Sequence, residues 1–302
     1  MSHSPSDAAH PRRFRLAGAS VPAARPQPGL YIVATPIGNL ADITLRALET
    51  LAGVDLIACE DTRITRRLLD RYGIETPLVA YHDHNAGQVR PRLLERLAEG
   101  AALAQVSDAG TPLVSDPGYK LVEAALEAGH RVVPLPGASA SLAALVAAGL
   151  PTDRFFFEGF LPPKSGARRN RLSELKSLPA TLIVYETGPR LSESLADLAA
   201  ILGPRPAAVC RELTKTFEEV RRGTLDALAG HYAQAGAPRG EIVLVIGAPL
   251  EEEASEEDVD AALRRALATL SVKDAAAAVA TATGLPRRAV YARALALQGG
   301  GD

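Results

Sequence analysis

From residue 30 onwards, short apolar runs alternate with amphipathic segments, and this alternation restricts the chain to few folds. The apolar runs have the length of buried strands, and the segments between them space apolar residues as helices do. Strands that alternate with helices predict βα units and a parallel sheet. The predicted strands cover residues 30–35, 54–59, 78–81, 101–106 and 131–135.

Polar and glycine-rich loops follow these strands, at the points where the next helices begin. In an open parallel sheet such loops lie along one edge, and ligands bind there. Gly38, Gly110, Gly118 and Gly137 lie in these loops. A glycine lets the main chain approach a ligand closely because it has no Cβ atom. We therefore predict a cofactor with a polar moiety, held by main-chain groups at this edge.

The pattern changes near residue 150, which predicts a second domain. New apolar runs follow at 155–160, 181–185, 207–210 and 241–246, with amphipathic segments between them. The predicted fold class is α/β, with two α/β domains and a small C-terminal helical appendage. The predicted parts are a disordered basic tail at 1–28, a cofactor domain at 29–150, a second domain at 151–249, and an acidic linker with the helical appendage at 250–302.

Composition and missing motifs exclude several classes of protein. The 302 residues suffice for two domains, and no apolar run reaches the roughly 18–20 residues of a membrane span, so we predict no membrane contact. The net charge of −2 means that a nucleic-acid contact must use a local patch. Two cysteines outside any metal motif favour a reduced cytoplasm. The sequence lacks P-loop, zincin, α/β-hydrolase and dinucleotide-binding motifs.

Two aspartates are the strongest candidates for chemistry from residue type and position. Asp61 and Asp108 each directly follow an apolar strand, whereas Asp42 is interpreted as the cap of the next helix. His82 and His84 are close enough in sequence to share a metal ion, but no third ligand is apparent nearby. We therefore predict no metal.

Several motifs in register resemble one known family. They are LYIVATPIGNLAD at 30–42, EDTR at 60–63, YHDHN at 81–85, VSDAGTPLVSDPG at 106–118 and PLPGAS at 134–139, with further matching segments as far as residue 248. The chain resembles the ribosomal RNA small subunit methyltransferase I family, of the tetrapyrrole-methylase superfamily. This resemblance implies two α/β domains with S-adenosyl-L-methionine in the cleft between them, and a homodimer. It also implies methyl transfer to the ribose 2′-oxygen of a cytidine in the decoding region of 16S rRNA, in the small ribosomal subunit.

The resemblance further implies which residues act in the site. The implied cofactor residues are Thr35, Pro36, Gly38, Asn39, Ser107, Asp108, Ala109, Gly110, Thr111, Pro112, Pro136, Gly137, Ser139, Tyr185 and Glu186. Candidates for a general base or an electrostatic helper are Asp61, Asp108, His82, His84 and Lys215, with a preference for Asp61 as base and Lys215 as helper. The family usually reads Tyr-Glu-Ser-Pro-His-Arg where residues 185–190 read Tyr-Glu-Thr-Gly-Pro-Arg. A mechanism that needs that histidine is therefore not transferred.

A basic segment is predicted to bind the RNA, because phosphate contacts dominate the affinity for nucleic acid. Its basic residues are Lys164, Arg168, Arg169, Arg171 and Lys176, which accompany one acidic residue, a balance of +4. A solvated helix face is the alternative interpretation. Two other functions stay open at this point: a small-molecule methyltransferase acting on a tetrapyrrole, and a non-enzymatic RNA-binding factor with a vestigial cofactor cleft.

Overall fold

The computed structural model describes residues 10–115, 118–250 and 256–299. The chain divides into two units, Met1–Pro249 and Leu250–Asp302. The start of the predicted tail, 1–9, and residues 251–255 of the predicted acidic linker lie outside the described residues. Among the residues that are described, no helix combines the length and apolar character that crossing a membrane requires.

The first unit alternates strands and helices along most of its length. In chain order its strands are β1 (Arg13–Leu16), β2 (Ala19–Pro22), β3 (Gly29–Val33), β4 (Leu56–Cys59), β5 (Leu78–Ala80), β6 (Ala102–Val106), β7 (Val132–Leu135), β8 (Phe155–Phe160), β9 (Thr181–Thr187), β10 (Pro206–Arg211), β11 (Glu219–Thr224) and β12 (Glu241–Ile246). Its α-helices are α1 (Leu45–Gly53), α2 (Thr62–Arg71), α3 (Ala86–Ala98), α4 (Tyr119–Glu127), α5 (Ala140–Ala148), α6 (Ser165–Leu175), α7 (Gly188–Leu202) and α8 (Leu225–Ala235).

Strands β3 to β7 form a parallel sheet in the order β5-β4-β6-β3-β7, as the alternating pattern predicts. Successive residues of a strand point to opposite faces. In β3, Leu30 and Ile32 therefore pack in the cluster that includes α3 and α4, while Tyr31 and Val33 pack in the cluster that includes α1 and α2. Helices on both faces explain why the central strands are apolar without interruption.

The second sheet has the order β11-β10-β12-β9-β8, and its pairs are antiparallel except for β8 with β9. Helices α6, α7 and α8 cover one face through a leucine-rich cluster that includes Leu172, Leu195 and Leu228. The edge strand β11 was not predicted from the sequence. Its residues, EVRRGT, include no run of apolar side chains from which a strand could be predicted. None of them is fully buried, as is common for an edge strand.

Helix α5 follows the first sheet in the chain but packs against the second sheet. Its Ala144, Leu145 and Ala148 are buried in one cluster with Ile183 of β9 and Val243 of β12. These strand residues alternate with neighbours that face the leucine-rich cluster, so the second sheet is also covered on both faces. Helix α5 is therefore joined to the second sheet by an apolar core that also includes Ile37, from the loop after β3.

Residues 10–28 form an ordered N-terminal segment, so the prediction of a disordered tail is wrong for them. Strands β1 and β2 pair as an antiparallel hairpin, and Phe14 is buried in the same cluster as α1. The arginines that suggested disorder are compensated by the fold, because Arg12 and Arg25 form ion pairs with Asp55 at 2.8 and 2.7 Å. Burial would raise the pKa of Asp55, but hydrogen bonds from Arg25, Ala102 and Arg12 lower it.

The cap of the first helix also differs from the prediction. Asp42 lies in a single 3₁₀ turn at Leu40–Asp42, and Thr44 caps α1 by accepting a hydrogen bond from the N–H of Ala47 at 3.1 Å. Both residue types are good caps. The intervening turn delays the start of α1, so Thr44 and not Asp42 is the N-cap residue of this helix.

The second unit is a helical appendage, as predicted. It contains α9 (Glu256–Leu267), α10 (Val272–Thr283) and α11 (Arg287–Gly299). Ser271 caps α10, and Gly284 ends it in the left-handed conformation. The three helices bury a small core of Val259, Leu263, Ala276, Val279, Ala280, Val290 and Ala294.

We predict that Phe14→Ala lowers the free energy of unfolding by about 3 kcal/mol, because it removes a buried aromatic side chain. Phe14 is 5% exposed, whereas Leu16 on the same hairpin is 38% exposed. Leu16→Ala is therefore the matched control, with an expected change below about 1 kcal/mol. Denaturant unfolding measures both, and equal small effects would show that the hairpin adds nothing to the core.

Candidate active site

A cavity of about 390 Å³ lies between the loops of the first sheet and the ends of strands in the second sheet. Its volume is in the range of small-molecule sites, about 300–1,000 Å³. Its lining residues are Ile37, Asp108, Ala109, Gly110, Thr111, Val114, Ser115, Ser139, Ala140, Phe160, Tyr185, Glu186, Thr187, Cys210, Leu213, Gly240, Glu241, Ile242 and Val243.

Hydrogen bonds join the loops of the first sheet into one wall. Thr35 and Gly110 form a reciprocal pair, in which each backbone N–H donates to the other's carbonyl oxygen at 2.9 and 3.0 Å. Thr35 Oγ1 also donates to the carbonyl oxygen of Ser107 at 3.2 Å, and Thr111 Oγ1 donates to that of Ala138 at 3.1 Å. The loops after β3, β6 and β7 thus lie together, at the edge where the sequence predicted them.

The predicted cofactor residues divide into two groups. Those on the cavity wall are Asp108, Ala109, Gly110, Thr111, Ser139, Tyr185 and Glu186. Those in the same loops but outside the lining are Thr35, Pro36, Gly38, Asn39, Ser107, Pro112, Pro136 and Gly137. The structure therefore brings the loops together, and cofactor binding by each residue stays a prediction.

The second sheet supplies an aromatic and a carboxylate group to the opposite wall. The Tyr185 ring meets Phe157 and Phe160 edge to face, at centroid distances of 4.9 and 5.6 Å. The Glu186 carboxylate is fully buried and forms an ion pair with Arg190 at 3.3 Å. It also accepts hydrogen bonds from the N–H of Thr187 and from Ser194 Oγ. The polar contacts of the Glu186 carboxylate are thus with β9 and α7.

Two strained loops border the cavity. Leu113 and Ser115 in one loop, and Glu212 and Thr214 in the other, have φ values of 75°, 59°, 51° and 68°. Side chains other than glycine rarely adopt the left-handed region, and such strain is concentrated at functional sites. Among the described residues, only one other non-glycine residue has a positive φ, in the turn of the N-terminal hairpin.

Lys215 connects the two walls. Its Nζ donates to Glu212 Oε1 at 2.8 Å and to Glu241 Oε2 at 2.7 Å. Partial burial opposes protonation, but these two carboxylates raise the pKa of Lys215. Its side chain lies over Gly38, where an added Cβ would be 2.4 Å from Lys215 Cγ. Gly38 is therefore required for the approach of Lys215, and this lysine holds loops together without lining the cavity.

The two candidate aspartates occupy different environments. Asp61 caps α2 and pairs with Arg63 at 2.6 Å, and these contacts lower the pKa of Asp61 to about 2. Asp108 accepts a hydrogen bond from the N–H of Asp61 at 3.0 Å. Burial, followed by the charge of Asp61, raises the pKa of Asp108. Asp108 lines the cavity and Asp61 lies behind it, so Asp108 is the better placed of the two for proton transfer.

The histidine candidates lie elsewhere. His82 and His84 follow β5, at the edge of the first sheet, with ring centroids 5.9 Å apart, and neither lines the cavity. Within the described part of the chain, no group of three or more His, Cys, Asp or Glu side chains could hold a metal ion. A base role for either histidine is not favoured by this position.

The predicted RNA-binding segment forms α6, and its charge is largely compensated. Arg168 is only 1% exposed and pairs with Asp197 at 2.7 Å, so the prediction that Arg168 contacts RNA is wrong. Arg169 also pairs with Asp197, at 3.3 Å. Arg171 pairs with Glu158 and Glu174, which raise its pKa. Of the segment, Lys164 and Lys176 at its two ends have no ion pair within the described residues.

Several lining residues were not found from the sequence. Phe160, Cys210, Leu213 and Val243 come from the second sheet and its loops. Their apolar character predicts a buried position, and it does not distinguish a residue of the core from one that lines a cavity. Only the packing of α5 against this sheet places them beside the loops of the first one.

The fold and the cavity define a two-domain α/β protein with a small-molecule site at the carboxyl edge of a parallel sheet. Residues 29–229 match the family Tetrapyrrole (Corrin/Porphyrin) Methylases, and residues 253–298 match the family RsmI C-terminal HTH domain. The chain belongs to the Tetrapyrrole (Corrin/Porphyrin) Methylases, which confirms the resemblance seen in its motifs.

Curated relatives match nearly the whole chain. The ribosomal RNA small subunit methyltransferase I of Mesorhizobium japonicum is 57% identical over 280 residues, which cover 92% of this chain and 95% of that protein. The protein of the same name from Escherichia coli O157:H7 is 51% identical over 276 residues, covering 89% and 96%. The solved structure of a cobalt precorrin-4 methyltransferase is 17% identical, with a TM-score of 0.55 and coverage of 72% and 94%. That structure supports the fold.

We predict that Arg63→Gln raises the pKa of Asp61 from about 2 towards the ordinary value of 3.8, because the ion pair and its hydrogen bonds are lost. A folded-state pKa below the unfolded value stabilises the protein above the unfolded pKa, and this contribution is lost as the pH falls. NMR titration of the Asp61 carboxyl carbon measures the change. An unchanged pKa in the variant would show that Arg63 is not its cause.

We also predict that Asp197→Ala lowers the free energy of unfolding by about 3–5 kcal/mol, because Arg168 is left buried and without its main partner. Glu193 is 77% exposed and lies 3.7 Å from Arg168, so Glu193→Ala is the control, with an expected change of about 0.5 kcal/mol or less. Denaturant midpoints compare the two. Equal effects would contradict a structural role for the Arg168–Asp197 pair.

Proposed function

We propose that this protein transfers a methyl group from S-adenosyl-L-methionine to the ribose 2′-oxygen of a cytidine in 16S rRNA, within the small ribosomal subunit. The observation that carries the proposal is the match to proteins named ribosomal RNA small subunit methyltransferase I, at 57% and 51% identity. That match covers 92% and 89% of this chain, whereas the tetrapyrrole-methylase match ends at residue 229 and a separate family matches residues 253–298. The nucleotide and the oxygen follow from the motif resemblance.

The cavity has the chemistry that S-adenosyl-L-methionine requires. Main-chain groups of residues 109–111 and the Asp108 carboxylate offer polar partners for the ribose and the amino-acid part of the cofactor. Ile37, Leu213 and Val243 offer an apolar surface suited to a purine ring. The cofactor is cationic, and the charged side chains that line the cavity are the carboxylates of Asp108, Glu186 and Glu241, which favours it electrostatically.

When bound, S-adenosyl-L-methionine supplies an electrophilic methyl group on a sulfonium. The tasks of the chain are then alignment of the two reactants and exclusion of water, and alignment alone is worth about 7–11 kcal/mol. Phe160 and Tyr185 provide the bulk that shields the cavity. Asp108, with its raised pKa, is a better proton acceptor for a ribose hydroxyl than Asp61. Lys215 keeps the loops of the two sheets in contact.

We further propose that the protein acts in the cytoplasm as a homodimer. Leu142 and Val146 lie one turn apart on α5 and are half or more exposed. Adjacent exposed apolar side chains of this kind are typical of surfaces that another protein covers. A second copy of the chain is the occupant that the motif resemblance implies.

The test is methyl transfer from labelled S-adenosyl-L-methionine to small ribosomal subunits that lack the modification, with naked 16S rRNA alongside and nucleoside analysis of the product. We expect 2′-O-methylcytidine from the wild-type protein. We expect Asp108→Asn to lower the single-turnover rate by about 10²-fold or more, as loss of a proton acceptor does. The exposed Asp153 supplies the control, Asp153→Asn, which should retain the wild-type rate.

Each arm of this test has a result that contradicts the proposal. Cofactor binding without transfer to either RNA would reject an rRNA substrate and favour a tetrapyrrole. Absence of cofactor binding would favour a non-enzymatic RNA-binding factor. A wild-type single-turnover rate in Asp108→Asn would remove Asp108 as proton acceptor and leave the overall activity intact.

A further inference from the structure

Helix α2 carries a row of arginines on its exposed side. Arg63, Arg67 and Arg71 are spaced by four residues, so they lie on one face, with a rise of about 6 Å from each to the next. All three are exposed, and the Arg63 side chain is 86% exposed. Thr65 and Leu69 on the opposite side are buried, which fixes the arginine row towards solvent.

The charge of this row is less compensated than that of α6. In the part of the chain that the structure describes, Arg67 and Arg71 have no carboxylate within ion-pair distance, and Arg63 pairs with Asp61 alone. Asp70 is the one other carboxylate on the helix, and it forms no ion pair with its neighbours in the described residues. A phosphate group could therefore bind Arg67 and Arg71 without displacing a carboxylate.

The N-terminal hairpin extends the row. Arg15 packs on Gly73, directly after α2, with its Cγ and Cδ 3.1 Å from where a Cβ of Gly73 would lie. The backbone N–H of Arg15 donates to the carbonyl oxygen of Tyr72 at 2.6 Å, which anchors the strand at the end of the helix. Arg13 is two residues away on the same exposed face of β1.

The other end of the row reaches the cavity wall. The N–H of Asp61, at the start of α2, donates to Asp108 Oδ1 at 3.0 Å, and Asp108 lines the cavity. The ten residues of α2 span about 15 Å. A band of Arg63, Arg67, Arg71, Arg15 and Arg13, here called the α2 band, thus runs from the cavity to the hairpin.

We propose that the α2 band binds the RNA backbone beside the methylated nucleotide. This proposal rests on the proposed function. Guanidinium groups that have no carboxylate partner, as those of Arg67 and Arg71 have none within the described residues, bind phosphates, and such contacts supply most of the affinity for RNA. The band begins at the cavity, so it holds the nucleotides that adjoin the reacting ribose. Helix α6, whose arginines are engaged with carboxylates, contributes less to this binding.

The experiment compares two double variants of the full chain. Arg67→Gln with Arg71→Gln removes two charges from the α2 band, and Arg92→Gln with Arg154→Gln removes two exposed charges elsewhere. Arg92 lies on α3, which packs on the other face of the first sheet. Both variants change the net charge equally, so any difference between them reflects a local contact.

The measurement is the dissociation constant for 16S rRNA at several salt concentrations, together with S-adenosyl-L-methionine binding and light scattering. We expect the α2 variant to bind roughly tenfold more weakly, with a salt slope smaller by about 1.4, since each lost phosphate contact removes about 0.7. The control should match the wild type. Adding Arg15→Gln to the α2 variant should lower the slope by a further ~0.7.

Three results would overturn the inference. Equal salt slopes for the α2 variant and its control would show that the band makes no phosphate contact. A change in oligomeric state in the α2 variant alone would assign the band to an interface between copies. Loss of cofactor binding would show that the substitutions act on the cavity. By contrast, failure of the wild-type protein to bind the RNA at all would reject the proposed function itself.

Discussion

The packing of α5 against the second sheet is the contact on which the rest of the site depends. The helix leaves the first sheet after β7, yet its buried alanines and Leu145 lie in one cluster with residues of β9, β10 and β12. Small side chains on α5 allow this close approach, and the burial of the shared cluster stabilises it. Because this helix directly follows the loop at 136–139, the loops of the first sheet are held facing the second sheet, and the cavity forms between them.

The packing of α5 and the loops also holds strained backbone conformations beside the cavity. Glu212 and Thr214 adopt left-handed backbone conformations in the loop that reaches Asn39, whose N–H donates to Thr214 Oγ1 at 3.1 Å. Lys215, held by Glu212 and Glu241, covers Gly38 in the same contact. A well-packed core can impose such conformations because the surrounding contacts outweigh a cost of order 1–3 kcal/mol for each residue.

Charge along the sequence and charge on the surface differ in this protein. The basic segment of α6 has a local balance of +4, but Glu158 and Asp197 arrive from β8 and α7 and pair with its arginines. The arginines of the N-terminal segment are likewise divided, since Arg12 and Arg25 pair with Asp55 while Arg15 lies beside α2. Ion pairing between distant segments is decided by the fold, so counts of nearby charges cannot locate a binding surface.

The sequence by itself determined the first sheet, the edge where its loops gather and the family to which the chain belongs. These follow from local patterns, because strand length, helix spacing and turn residues are properties of neighbouring positions. Tertiary structure alone decided that Asp108 lines the cavity while Asp61 lies behind it, that Phe160 and Leu213 complete the wall, and that Arg168 is buried. Each of these outcomes depends on contacts between residues far apart in the chain. The cavity forms only once α5 has packed against the second sheet, and Arg168 is buried where it pairs with Asp197 of α7.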